Sequence, residues 1–150
     1  MKSILVRTSG SYPVAVGPGL LKEAGTRLLS LSPPCATALV SDDRVDALYG
    51  PTVRGALEAA GFAVCSFVFP AGEAQKNMDT LCALLEFLAR HRLTRSDLVI
   101  ALGGGVVGDL AGFAAAIYLR GIRVVQLPTT LLAAVDSSVG GKTGVDLLAG

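Results

Sequence analysis

The residues best placed to do chemistry lie at Gly103-Gly104-Gly105-Val106-Val107-Gly108-Asp109, where three successive glycines follow an apolar run and open a helical pattern. Glycine lets the backbone approach a ligand closely. A helix that starts there presents free N–H groups and a partial positive charge, a combination suited to phosphate. The same letters satisfy G-x-G-x-x-G at Gly103, Gly105 and Gly108. The usual dinucleotide fingerprint, however, sits in the first strand-to-helix turn and has an acid at the end of the next strand. Here the motif comes late and the next strand ends at Leu127-Pro128. By itself the motif leaves two readings open, a phosphate cradle or a tight turn with no ligand. Asp109 falls in the first turn of that helix, where a carboxylate complements the helix dipole and could also accept a hydrogen bond from a ligand.

Val139-Gly140-Gly141-Lys142-Thr143-Gly144 has the look of a nucleotide-triphosphatase loop but fails its spacing. G-x-x-x-x-G-K-[ST] requires a glycine five positions before Gly141, and that position is Asp136. The preceding segment also reads as a helix, where the motif needs a strand. What remains is a lysine on a glycine-flanked loop near Asp136, a cation suited to an anionic substrate. Pro70-Ala71-Gly72-Glu73-Ala74-Gln75-Lys76 follows a strand, as do Asp42 and the pair Thr129-Thr130. Solvated charges and helix caps account for these residues as well as ligand contacts do. Arg120 and Arg123 flank Gly121 in a turn, and His91 stands on a helix beside Arg90 and Arg92 with no second metal ligand nearby.

Composition narrows the function classes. Thirteen Lys+Arg against twelve Asp+Glu, with no basic block, leave no electrostatic footprint for nucleic acid or an anionic membrane surface. A chain that is 51% apolar has ample surface to bury and is not read as disordered. Its 150 residues make one domain's worth of chain. Cys35, Cys65 and Cys82 are odd in number and lack CxxC pairing, so they read as small core residues in a reducing compartment. The N-terminal apolar run stops at Arg7, too short for a signal peptide, and the expected location is the cytoplasm. Leu98 to Leu119 carries a single charge, Asp109, but its triple glycine and central acid argue against a membrane span.

These residues need a scaffold, and the pattern supplies one. Ser3 to Thr8 and Tyr12 to Val16 are strand candidates joined by Ser9-Gly10-Ser11, and Leu20 to Leu31 has helical spacing. Strands and helices then alternate. Ala36 to Val40, Phe62 to Phe69, Leu98 to Leu102 and Val124 to Leu127 read as strands. Arg44 to Ala60, broken at Gly50-Pro51, reads as a helix, as do the segment capped by Asn77, Val107 to Leu119, and Thr130 to Val139. In the segment after Asn77, Met78, Leu81, Leu85 and Leu88 form the apolar face. This alternation predicts an α/β fold: βαβ units in a mostly parallel sheet, helices on both faces, and ligands beyond the carboxyl ends of the strands.

Taken together, Pro70-x-Gly72-Glu73-x-x-Lys76, Gly103 through Phe113, Arg120-Gly121, Pro128-Thr129-Thr130-Leu131-Leu132 and Val135 through Val145 resemble 3-dehydroquinate synthase, collinearly along essentially the whole chain. The resemblance implies a Rossmann-like, doubly wound domain. It also implies conversion of 3-deoxy-D-arabino-heptulosonate 7-phosphate to 3-dehydroquinate and phosphate in the shikimate pathway, with catalytic NAD+ and a divalent zinc or cobalt ion. Other sugar-phosphate cyclases and a non-catalytic NAD-binding module stay open as alternatives.

By resemblance, Gly104, Gly105, Val106, Val107 and Gly108 would cradle the NAD+ pyrophosphate and Asp109 would hold the nicotinamide end. Asp42, Gly72, Glu73 and Lys76 would contact ribose and adenosine groups, and Thr129, Thr130 and Lys142 would line the cofactor pocket. Asp136 and Lys142 would reach the sugar-phosphate substrate, and Arg120 its phosphate across a homodimer interface. Arg44 stands where the family often has Asn, which bears on the adenosine side. The family carries its metal ligands in a helical domain that would follow Gly150. No metal residue is therefore expected in this chain, and residues 1–150 are expected to be an NAD-binding N-terminal part, inactive alone.

Overall fold

Leu98–Gly103 is buried at every position, which is why its sequence does not alternate: both faces of this strand are covered. In the computed structural model, which describes residues 1–7 and 10–149, it is strand β5. Before it come β1 (Lys2–Arg7), β2 (Ser11–Val16), α1 (Ala24–Leu29), β3 (Ala36–Asp42), α2 (Asp43–Ala59), β4 (Ala63–Phe69) and α3 (Met78–Arg90). After it come α4 (Gly105–Ile117) and β6 (Arg123–Pro128). Strands β1 and β2 pair antiparallel on their own, while the main sheet is wholly parallel in the order β4-β3-β5-β6. The turn expected at Ser9 and the strand end expected at Thr8 lie outside the described residues, as does Gly150.

The sheet's period-two alternation sorts its side chains between two cores. Ala38, Val40, Val99 and Ala101 face Leu81, Leu84 and Leu88 of α3 and Val107, Leu110, Ala111 and Ala114 of α4. Leu39, Ile100 and Leu102 face Leu28 of α1 and Val53 and Leu57 of α2. Helices therefore cover both faces, as the alternation predicts. From β3 the chain crosses to β4 on one side, and from β5 to β6 on the other. The strand order thus reverses between β3 and β5, and the crevice beyond their carboxyl ends is where such sheets bind ligands. Those ends carry Asp42 and the triple glycine, and the Ser41 hydroxyl donates to the Leu102 carbonyl across the pair at 2.8 Å.

Several expectations need correction. Helix α2 runs unbroken through Pro51: Val53 and Leu57, both fully buried against the sheet, carry the helix past the missing N–H. The segment from Leu20 to Leu31 is a 3-10 turn at Leu20–Glu23 followed by the short helix α1. On α3 it is Leu84, rather than Leu85, that is fully buried with Leu81 and Leu88, and Met78 is exposed. Cys82 is exposed and Cys35 and Cys65 are only half-buried, so the thiols are not core residues. The helix expected over Thr130 to Val139 is mostly a π turn, Ala133–Ser137, defined by the Ser138 N–H donating to the Ala133 carbonyl at 3.0 Å. Among the described residues no helix is long and apolar enough to cross a membrane.

Candidate functional site

The triple glycine divides into two roles. A Cβ on Gly103 would meet Val107 Cγ2 at 2.5 Å, so packing alone demands glycine there. Gly104 and Gly105 differ. Neither has a positive φ, and a Cβ would find its nearest contacts at ordinary distances, Thr130 Cγ2 at 3.5 Å and Ser137 Oγ at 3.6 Å. The protein itself therefore has no need for glycine at these two positions. Gly104 is the N-cap of α4 and provides no side-chain cap. The Gly108 N–H donates to the Gly104 carbonyl at 3.0 Å, so the amides of Gly105, Val106 and Val107 precede the first helical bond. They point out of the helix start, toward the crevice. Behind the loop, the Thr129 N–H donates to the Gly103 carbonyl at 2.9 Å and the Gln126 Nε2 to the Gly108 carbonyl at 3.2 Å.

Asp109 sits one turn into α4, buried. Its Oδ2 accepts from Lys76 Nζ at 2.9 Å, while Oδ1 is buried without a partner. Lys76 arrives on the segment after β4. There Gly72, at φ 129°, takes a conformation only glycine adopts comfortably, and the Ala71 N–H donates to Asp43 Oδ1 at 3.0 Å. The hydrogen bond to Asp109, then the charges of Asp109, Asp146 and Glu73, raise the Lys76 ammonium above its ordinary value against a smaller opposing desolvation. Glu73 is exposed, 3.9 Å from that ammonium. The Asp146 N–H donates to the Lys76 carbonyl at 2.8 Å, which ties the chain around Asp146 to this segment.

On the other side of the loop, Lys142 Nζ meets Asp136 Oδ2 at 2.8 Å, a pair open to solvent. Asp136 raises the Lys142 ammonium, first through the hydrogen bond and then by charge. Asp109 also raises it and Lys76 lowers it, so the two ion pairs share one electrostatic environment. The loop between Asp136 and Lys142 is tied to the hairpin, where the Gly140 N–H donates to the Tyr12 hydroxyl at 2.8 Å. Thr130 Oγ1 accepts from the Ala133 N–H at 3.1 Å and so serves as a cap, whereas Thr129 Oγ1 is buried with no partner. Asp42 caps α2, accepting from the Arg44 and Val45 N–H groups, both on Oδ1.

The structure thus brings Asp42, Gly72, Glu73, Lys76, the glycine loop, Asp109, Thr129, Thr130, Asp136 and Lys142 to the carboxyl edge of the sheet. It does not bring Arg120 there. Arg120 stands ahead of β6, at the amino edge, with a left-handed backbone (φ 65°) beside Leu119 (φ 49°). With Arg95, Ser96 and Arg123 it lines an open depression of about 610 Å³. That depression is not the candidate site, because the helix start and the unpartnered buried atoms are at the opposite edge. Ser137 and Tyr12 are the residues that sequence reasoning left without a role. Anticipating the first would have needed the one-residue widening of the π turn, and the second a contact across most of the chain. Among the described residues no three His, Cys, Asp or Glu side chains stand together as a metal site.

The family model of the 3-dehydroquinate synthase N-terminal region matches residues 66–150. A 3-dehydroquinate synthase of Streptococcus suis is 52% identical over 135 residues, 90% of this chain and 38% of that protein. The Enterococcus faecalis enzyme of the same name is 49% identical over 97% of this chain and 41% of its own length. The chain therefore spans about two fifths of the relatives it matches. Among solved structures, a 2-deoxy-scyllo-inosose synthase complexed with carbaglucose-6-phosphate, NAD+ and Co2+ superposes with TM-score 0.88 at 26% identity, covering 99% of this chain and 40% of that one. A 2-epi-5-epi-valiolone synthase from Streptomyces hygroscopicus with NAD+ and Zn2+ bound superposes at 0.82 and 32% identity, covering 96% and 39%.

Proposed function

The chain belongs to the 3-dehydroquinate synthase N-terminal family, and from that premise we propose that its carboxyl-edge crevice holds NAD+ with the pyrophosphate on the glycine loop. One observation carries this reading. Gly104 and Gly105 are free of any packing or backbone need for glycine, yet they open α4, whose first N–H groups are unbonded, on the sheet edge that also carries the buried, unpartnered oxygens of Asp109 and Thr129. A ligand that comes close to the backbone and hydrogen-bonds those oxygens accounts for both facts.

In this reading the amides of Gly105, Val106 and Val107 bind phosphate oxygens, with Gly104 keeping the approach clear, while Gly108 supports the loop from behind, where a Cβ would meet Gln126 Oε1 at 2.9 Å. Asp109 Oδ1 accepts from the amide at the nicotinamide end while Oδ2 stays on Lys76, which fixes the carboxylate's orientation. Asp42, through the oxygen not used in capping, and the Gly72-Glu73 segment face the ribose and adenosine side, where Arg44 replaces a shorter polar residue. Thr129 supplies a hydroxyl to the pocket wall and Thr130 shapes it by capping the π turn. The chemistry the dinucleotide supplies when bound is reversible hydride acceptance. Lys142 and Asp136, exposed and paired, are positioned to meet an anionic sugar-phosphate substrate, and Lys142 can exchange Asp136 for a substrate oxygen at little cost because both are solvated.

For the whole enzyme we propose the conversion of 3-deoxy-D-arabino-heptulosonate 7-phosphate to 3-dehydroquinate and phosphate, a phosphorus–oxygen lyase reaction. The described residues offer no ligand set for a divalent metal, so the family's metal would be held outside them. We take residues 1–150 as the NAD-binding part, without turnover alone, working in the cytoplasm. Because Arg120 stands at the opposite sheet edge from Lys142, its contact with substrate phosphate requires the neighbouring subunit of a homodimer.

Calorimetric titration of the chain with NAD+ tests this. The expected result is saturable binding, weakened about tenfold in Asp109→Ala by loss of a charge-assisted hydrogen bond. A folded chain that takes up no NAD+, or one whose binding is indifferent to Asp109, overturns the reading.

A further inference from the structure

Ser137 is buried, at 7% exposure, and its Oγ has no hydrogen-bond partner. Its neighbour behaves differently: Ser138 Oγ donates to the Ala134 carbonyl at 3.5 Å, the usual fallback of a helical serine four residues back. For Ser137 that fallback would be the Ala133 carbonyl. The Ala133 carbonyl accepts the Ser138 N–H at 3.0 Å across the π turn, and the Ser137 hydroxyl makes no bond to it. In the wide turn the Ser137 hydroxyl is thus buried without the local bond its neighbour makes. The turn also holds that hydroxyl over the start of α4, where Oγ lies 3.6 Å from the position a Gly105 Cβ would occupy. Single π turns inside helices are frequent at functional sites.

The helix start beside that hydroxyl offers donors. The Gly105, Val106 and Val107 N–H groups precede the first helical bond, and none can accept from it. A buried O–H that finds no acceptor within hydrogen-bond reach is satisfied by one from outside, and an anionic oxygen seated on the helix start would satisfy it and the N–H groups together. We propose that Ser137 is a cofactor-binding residue that donates its hydroxyl proton to a pyrophosphate oxygen seated on the glycine loop. This rests on the reading that NAD+ occupies the crevice.

Ser137→Ala tests it by combining two measurements that a structural role would move together. An unpartnered hydroxyl contributes nothing to the ligand-free fold, so the melting temperature without nucleotide should stay level or rise slightly. The dissociation constant for NAD+ should rise about tenfold, and the 31P signals of bound NAD+ should shift from their wild-type positions. Ser138→Ala, which removes the self-satisfied neighbour, should leave NAD+ affinity unchanged. The inference is overturned if wild type binds NAD+ and Ser137→Ala binds it within twofold with unshifted phosphorus signals. It is equally overturned if the ligand-free melting temperature falls by several degrees, because the hydroxyl then has a structural partner. If wild type takes up no NAD+, the underlying reading fails and this inference fails with it.

Discussion

Gly105→Ala is expected to make the ligand-free chain slightly more stable and to cost it most of its NAD+ affinity. Position 105 opens α4 with ordinary backbone angles, and the added methyl would find its nearest contact, Ser137 Oγ, at 3.6 Å. Replacing a helical glycine whose conformation alanine can adopt stabilises by about 0.5 kcal/mol, chiefly by restricting the unfolded chain. For a chain of this size that is about 2 °C in melting temperature. The same methyl would stand where the pyrophosphate must approach. Overpacking a close contact costs about 1–3 kcal/mol, or roughly fivefold to somewhat over a hundredfold in affinity. Gly103→Ala is the opposite case: its Cβ would meet Val107 at 2.5 Å, so it should lower stability whether or not nucleotide is present. Thermal melts with and without NAD+ check both. A Gly105→Ala chain that is destabilised without ligand would mean that the glycine serves the fold.

Lys76→Met should cost the chain about 3 kcal/mol of stability, measured by urea unfolding near neutral pH. Asp109 is buried, with 7% of its side chain exposed, and Lys76 Nζ at 2.9 Å is its cation. Removing one partner of a buried pair leaves an uncompensated charge, which costs far more than the pair itself contributes. The double variant Lys76→Met/Asp109→Leu should recover most of the loss, because it removes the stranded charge as well. The pH dependence follows from the sign of the shift. The Lys76 ammonium is raised above its ordinary value in the folded chain, chiefly by the hydrogen bond to Asp109. Its contribution is complete below the ordinary lysine value and is lost as pH climbs through the folded one. Wild type should therefore lose stability in the alkaline range more steeply than the double variant. A Lys76→Met chain as stable as wild type would mean that water or another donor reaches Asp109.

The division between what was legible in the sequence and what was not has physical causes. Leu98 to Leu102 declared itself as a doubly covered strand because apolar runs without alternation have few other uses. The glycines after it announced a close backbone approach because no other residue needs so little room. Asp136 and Lys142 were readable as neighbours because a short loop joins them. The Lys76–Asp109 pair was not, since it depends on strand order. Their segments follow β4 and β5, which lie on either side of β3, and only a long lysine chain spans two strand spacings of about 4.8 Å each. Pro51 misled because local propensity was overridden by Val53 and Leu57 packing on the sheet. The π turn was hidden because a one-residue widening leaves the apolar spacing of Leu131 to Val135 almost unchanged, and with it went the distinction between Ser137 and Ser138. Arg120 could be ranked with the site by family resemblance, but its place at the amino edge of β6 is a property of the topology.

The central claim is that the start of α4 receives the dinucleotide phosphates. The most direct test is a 15N-labelled chain titrated with NAD+, following the backbone amide resonances by NMR. The account predicts saturable, downfield proton shifts largest at Gly105, Val106 and Val107, with smaller changes at Lys76 and Asp109. Saturable shifts centred instead on Arg95, Ser96, Gly121 and Arg123, with the glycine-loop amides unmoved, would place the ligand at the opposite edge of the sheet and contradict it.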